Sequence, residues 1–199
     1  YARRRAIVRR LNMRRKDREM TKEFGLELID RAQYGVLSMV DTDKLAYGLP
    51  LSLVRDGDKL YFHSAMDGKK VRSLRENPDV SVTFVGQVQV PNNYTKDELD
   101  EMKGDPSKAI NFISSVFTTE FESVVVSGQV NLVEDEGEKV KAMRLICDKY
   151  TPDKMDYFQV AINTGISRTN IYKISMDSIG AKRKKYDLDG VEMKWGRLD

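Results

Sequence analysis

Cysteine and histidine are almost missing from this chain, with Cys147 and His63 the sole examples among 199 residues. One cysteine excludes an internal disulfide, and with a lone histidine it leaves no donor set for a structural zinc centre. No apolar run approaches the ~20 residues that a spanning helix requires, so no membrane partner is expected. A chain with neither disulfide nor span fits a reducing compartment, and we expect a cytoplasmic protein. G-x-x-x-x-G-K-[ST] is absent, as is any G-x-G-x-x-G after a strand, so a phosphate would not be held by a P-loop or a dinucleotide fold. Neither a Ser–His–Asp or Cys–His set nor a paired-carboxylate signature is visible, which leaves few protein-borne catalysts.

What is present is ordinary for one globular domain: 40% apolar and 33% charged residues, with length enough for a good core. The net charge of +3 is unevenly placed. Arg3, Arg4, Arg5, Arg9 and Arg10 precede residue 13, and without those five charges the remainder carries −2. Met13-Arg14-Arg15-Lys16-Asp17-Arg18 has the look of a translation start. Residues 1–12 are therefore expected to be a leader added for expression or from an upstream start, with 13–199 a single domain. A basic arm for nucleic acid is the rival reading. The rest of the chain shows no basic face with interleaved aromatics, so no nucleic-acid partner is expected.

Periodicity gives the outline. Met20, Phe24, Leu28, Ile29 and Ala32 have helical spacing over 16–33. Short strand-like runs follow at Gly35–Asp41, Leu45–Arg55 and Lys59–Ser64, the last two joined by the hairpin signal Asp56-Gly57-Asp58. Pro50 demands an edge or a bulge. A helix from about Gly68 must stop at Asn77-Pro78. Val80–Val90 is a strand, and 91–118 is an insertion with a helical piece at Lys96–Met102, a break at Gly104-Asp105-Pro106 and the apolar Ile110–Phe117. Glu120–Val133 resumes strand character with Gly128 a candidate bulge. Glu136–Tyr150 is an amphipathic helix whose Cys147 we expect to pack, Lys154–Ile162 adds helical turns, and Thr169–Met176 and Ser178–Lys185 close as strands. The fold class is α+β, mainly β: a small six-stranded antiparallel barrel with flanking helices.

The most telling stretch is Tyr61-Phe62-His63-Ser64-Ala65-Met66-Asp67-Gly68-Lys69-Lys70. A strand ends in a polar tip, a glycine turn follows, and two lysines open a helix. Cations at a helix N-terminus oppose its dipole, so an anion bound there explains them better than solvent does. Ser64, the backbone after Gly68, Lys69 and Lys70 would supply charge-assisted donors for a phosphate. Leu51, Leu53, Phe62 and Val85 could line an apolar slot beside it.

These pieces, with their order, resemble the FMN-binding split barrel of the pyridoxamine-phosphate-oxidase-like superfamily and its nitroimidazole-resistance (Nim) branch. The matching segments are Met13-Arg14-Arg15-Lys16-Asp17-Arg18-Glu19, Tyr34-Gly35-Val36-Leu37, Tyr47-Gly48-Leu49-Pro50-Leu51, Tyr61-Phe62-His63-Ser64-Ala65 and Gly68-Lys69-Lys70. Asn77-Pro78, Phe121-Glu122-Ser123-Val124-Val125-Val126-Ser127-Gly128 and Thr169-Asn170-Ile171-Tyr172 continue the series, so the resemblance spans roughly 13–184 and is weakest over 88–118. It implies FMN at a homodimer interface, with Lys69 and Lys70 on the flavin phosphate and His63, Ser64 and Ala65 beside it. It further implies that the backbone of Leu51, Ser52 and Leu53 runs along the ring. Glu122 and Ser123 match the place where the oxidases put a glutamine, and serine departs from that pattern. His63 matches a histidine of some Nim proteins whose role is less settled, and is the one catalytic candidate.

The implied activity is electron transfer from NAD(P)H through FMN to a small organic acceptor, a nitro compound being one example. The alternative is a non-catalytic flavin or haem binder, in which His63 would be the sole imidazole. Blander roles stand beside the sharp ones: His63 orienting its turn, Glu122 an exposed strand residue, Lys182-Arg183-Lys184-Lys185 a solvated face, and Trp195 a packing anchor for the tail.

Overall fold

In the computed structural model, which describes residues 13–198 apart from Ala109 and Asn111, the first elements are strand β1 (Glu19–Met20) and helix α1 (Lys22–Arg31). Next come β2 (Gly35–Val40), β3 (Ala46–Leu51), β4 (Val54–Asp56), β5 (Lys59–Ser64), α2 (Lys69–Glu76) and the long β6 (Asp79–Gln89). An excursion carrying α3 (Lys96–Lys103) returns through β7 (Glu120–Leu132). Helices α4 (Glu136–Tyr150) and α5 (Phe158–Gly165) and strands β8 (Asn170–Ser175) and β9 (Ser178–Lys184) complete the chain. The leader expected over residues 1–12 lies outside the described residues.

Every strand pairing is antiparallel, in the order β3-β2-β6-β7-β8-β5-β4, with β9 on β7 and β1 on β9. β7 splits the barrel: through Ser127 it pairs with β9, and from Val130 it pairs with β8. Gly128 sits at that change of partner, where a Cβ would lie 1.6 Å from the Ser175 carbonyl oxygen. It is therefore a point of close backbone approach and not the bulge expected from sequence. The irregularity falls instead in β6, between Val85 and Val88.

Local chemistry explains where elements differ from the sequence outline. α1 begins late because the Thr21 hydroxyl accepts the Phe24 N–H and caps it, while Met20 is taken up by pairing with Ala181. The run Leu45–Arg55 divides at Ser52–Leu53, leaving Pro50 on the edge strand β3 as a proline requires. Gly57 takes φ +60° in the β4–β5 hairpin. In the excursion, Thr95 and Glu98 form a capping box for α3, and a π-helical turn follows at Phe112–Val116.

Inward-facing Leu37, Phe62, Val82, Phe84, Val124 and Ile174 fill the barrel, which α1 closes with Leu28 and Ile29. Each such burial contributes about 1.5–3 kcal/mol. A second cluster packs Ala142 and Ile146 of α4 against Val54, Tyr61 and Ile171. The opposite face of β3-β2-β6-β7 presents Pro50, Val36, Thr83 and Val125, then Gly48, Ser38, Ser81 and Ser127, in register. No charged side chain interrupts these two rows.

The basic run 182–185 is not a solvated face. Arg183 and Lys184 are buried, 4% and 6% exposed. Arg183 donates to the Arg197 carbonyl, and Lys184 to the Thr118 hydroxyl and the Ser114 carbonyl, so the pair holds the tail and the π-helical turn in place. Trp195 does not anchor the tail with its ring, which is largely exposed. Its backbone N–H does so, donating to the Asp17 carbonyl at 2.7 Å.

Candidate functional site

The strand-turn-helix expected from sequence is present: β5 ends at Ser64 and α2 starts at Lys69, with Gly68 at φ +135° between them. That φ favours glycine, and no side chain caps the first-turn amides of α2 among the described residues. Asn170, opposite Ser64 across the β5–β8 ladder, donates from its amide to the carbonyls of Ala65 and Met66, both at 3.3 Å. The Asp67 carboxylate accepts the Gly68 N–H and pairs with Arg72 at 3.0 Å, and both effects hold its pKa below the usual range. The turn is thus braced from two sides.

The two lysines differ. Lys69 Nζ lies 2.7 Å from the buried Asp41 carboxylate and over the Tyr47 ring, 4.7 Å from its centroid. Asp41 also accepts the N–H groups of Asp43 and Leu45, each at 2.9 Å. These contacts, the lysine first, hold the Asp41 pKa down, and the same pair raises that of Lys69. Lys70 has no carboxylate partner among the described residues. Its ammonium sits 5.3 Å from the Phe62 ring centroid, half-buried, and burial lowers its pKa.

Alternation along β5 sends Phe62 into the core, fully buried and stacked on Tyr172 at 5.2 Å, and His63 to the other face, where it is exposed. The partial desolvation of the imidazole, and then the charge of Lys70, depress its pKa and so favour the neutral form. Ser64 is enclosed at 7% exposure, while Ala65 is open.

The expected apolar slot is differently built. Leu53 and Phe62 are fully buried core residues that do not line a slot within one chain, and Val85 is exposed on β6. The structure offers instead an open cleft of about 580 Å³ lined by Tyr34, Val36, Pro50, Leu51 and Ser52. Tyr47, beside Lys69, and Ser52, in the cleft, lie at the two ends of β3, roughly 17 Å apart at strand spacing. Glu122 is neither exposed nor at the cradle: its side chain is 13% exposed and pairs with Arg31 at 2.7 Å against the β6 irregularity, with Ser123 following it on β7. Within one chain, therefore, Glu122 and Ser123 belong to the Gly35 end of β2 and Lys69 to its Asp41 end. Sequence reasoning assigned no role to Asp41, Tyr47, Asn170 or Tyr34. An Asx-turn signal in Asp41-Thr42-Asp43-Lys44 marked the first, but nothing local pairs it with Lys69.

The fold is thus an antiparallel split barrel with the strand-turn-helix of Lys69 and Lys70 at one end of β3 and an apolar cleft at the other. The family of pyridoxamine 5'-phosphate oxidases matches residues 22–183, and the chain belongs to it. Among curated proteins none matches the sequence significantly. Solved structures of similar fold include a proposed 5-nitroimidazole antibiotic resistance protein from Bacteroides thetaiotaomicron, with 22% identity and TM-score 0.62 over 82% of this chain and 84% of that one. A flavocytochrome from Azotobacter vinelandii aligns at 19% identity and TM-score 0.64 over 85% and 72% of the two chains. An FAD and heme binding protein from Mycobacterium smegmatis aligns at 15% and 0.64 over 84% and 73%. At these identities the likeness is one of fold. Among the described residues no cluster of His, Cys, Asp and Glu could hold a metal, and no helix is long and apolar enough to cross a membrane.

Proposed function

We propose that this chain is a flavoprotein oxidoreductase that binds FMN at a homodimer interface and passes electrons from NAD(P)H to a small organic acceptor, a nitro compound being one candidate. The observation that carries the reading is Lys70: a half-buried ammonium without a carboxylate, beside uncapped helix amides. That is a site short of one anion. A ligand reaching both the cradle and the cleft must be elongated, with an anion at one end and a flat apolar body at the other. A flavin mononucleotide has that form, and a cradle in which, among the described residues, only one of the two lysines lacks a carboxylate partner favours one phosphate over the two of FAD. Family membership and the names of the structural neighbours, one an FAD and heme binder, support a flavin in general.

When bound, FMN would supply the hydride and electron transfer. The chain's own part is to hold and exclude. Lys70 and the first-turn amides of α2 take the phosphate, with Lys69 braced by Asp41 at the rim. Neutral His63 offers a hydrogen bond at the edge of the cradle. Leu51, Ser52 and Tyr34 shelter the ring. The charge-free rows on β3-β2-β6-β7 give the second copy a flat surface to pack on, and that copy is where Glu122 and Ser123 would come from to meet a flavin held by this one.

The test is the visible spectrum of the purified protein with mass identification of any molecule released by heat. FMN near one per chain supports the proposal, and steady NAD(P)H oxidation by the loaded protein separates an enzyme from a passive binder. A colourless protein that also ignores added FMN sinks it.

A further inference from the structure

Lys149 and Tyr150, the last two residues of α4, make contacts that core packing does not require. The Tyr150 hydroxyl donates to the Leu53 carbonyl at 2.7 Å and receives the Leu53 N–H at 3.0 Å. One side chain thus satisfies both backbone groups of the residue where the chain leaves β3, standing in for a missing strand neighbour. Lys149 Nζ donates to the same Leu53 carbonyl at 3.2 Å and to the Ile29 carbonyl at 3.1 Å, with no ion pair among the described residues. Ile29 lies in the last turn of α1, where carbonyls lack helical partners and a cation is favoured.

Neither carbonyl lines the cleft, whose lining lies on the paired strands β2 and β3 and at their ends, but both flank it. Leu53 follows Ser52, which lines the cleft, and the end of α1 precedes Tyr34, which lines it too. The half-buried ammonium is one atom bonded to both. We infer that Lys149 and Tyr150 are positioning residues that fix the Ser52–Leu53 backbone against the end of α1, at the edge of the cleft, and so the fit of the flavin ring, an inference that rests on the flavin reading above. Neither side chain lines the cleft, so both act through the Leu53 backbone. Their action is confined to the ring end of the site and is independent of the phosphate cradle.

The test compares FMN with riboflavin, which lacks the phosphate, on the full-length chain. Lys149→Met keeps the apolar stem and removes the bridge; Tyr150→Phe keeps the ring and removes the hydroxyl; Lys149→Arg retains a donor that can reach both carbonyls. Lys149→Met and Tyr150→Phe should weaken both flavins by the same factor, at least tenfold, and alter the visible circular dichroism of the bound ring. Lys149→Arg should recover most of the loss, with all apo-proteins still melting cooperatively. Wild-type dissociation constants in the two variants overturn the inference, as does a loss seen for FMN alone or one tracking only the unfolded fraction. Should the wild type bind neither flavin, the parent reading fails and takes this one with it; normal wild-type binding with unaffected variants refutes this one alone.

Discussion

Exchanging the two adjacent lysines for methionine one at a time should produce opposite signatures, because among the described residues only Lys69 has a carboxylate partner. Lys69→Met strands the buried Asp41 carboxylate, leaving it with two backbone N–H bonds and no countercharge. The variant should unfold at lower urea, and flavin binding should suffer indirectly. Lys70→Met removes an ammonium that burial already disfavours and that sits over the Phe62 ring near His63, so the apo-protein should be as stable as the wild type or slightly more so. Its cost should emerge on binding. A charge-assisted hydrogen bond to phosphate is worth about 1.5–3 kcal/mol, which predicts FMN binding roughly 10- to 150-fold weaker. Riboflavin makes no such contact and should bind both Lys70→Met and wild type alike. Fluorescence-quenching titrations with the two flavins, run beside urea melts of the apo-proteins, read all four quantities. Unchanged FMN affinity in Lys70→Met, or an equal loss for riboflavin, would falsify the assignment of Lys70 to the phosphate.

Three further outcomes follow from the geometry. Gly128→Ala drives a Cβ into the Ser175 carbonyl and should cost about 3 kcal/mol in urea unfolding, whereas a loss under ~0.5 kcal/mol would mean the strands separate there freely. Asn170→Ala removes both side-chain hydrogen bonds to the 65–66 turn, so a stability loss of about 1–2 kcal/mol is expected together with weaker FMN binding; retention of both would show that the turn holds itself. His63 has a folded pKa below its ordinary 6.5, so the unfolded chain takes up the proton first. Its contribution is complete above pH 6.5 and declines as pH falls from there towards the folded value. His63→Asn should flatten the pH profile of unfolding in that window, and an unchanged slope would assign the acid sensitivity to other groups.

Features encoded by neighbours in sequence were legible. The hairpin at Asp56-Gly57-Asp58, the edge placement of Pro50, the α2 stop at Asn77-Pro78 and the strand-turn-helix of the cradle each rest on local backbone chemistry, and each stands where the residues put it. What failed were judgements of environment. Lys182-Arg183-Lys184-Lys185 has the composition of a solvated face, yet the tail from Tyr186 onward and the turn at Phe112–Val116 fold over it and bury two of its cations. Gly128 looks the same in sequence whether it marks a bulge or a close approach, because the deciding atom is the carbonyl of Ser175, 47 residues away.

The cradle shows the same limit at finer grain. Lys69 and Lys70 are equivalent in sequence: the same side chain at successive positions of one helix start, both opposed to its dipole. Successive positions on a helix point about 100° apart, so one reaches the β2 end and Asp41 while the other lies over Phe62 of β5. The carboxylate that separates them is 28 residues upstream of Lys69, held in a turn of its own by the amides of Asp43 and Leu45. A local motif can thus announce that a phosphate is expected at this helix start. Which of its cations remains free to meet that phosphate is decided by a distant acid, and in this fold the free one is Lys70.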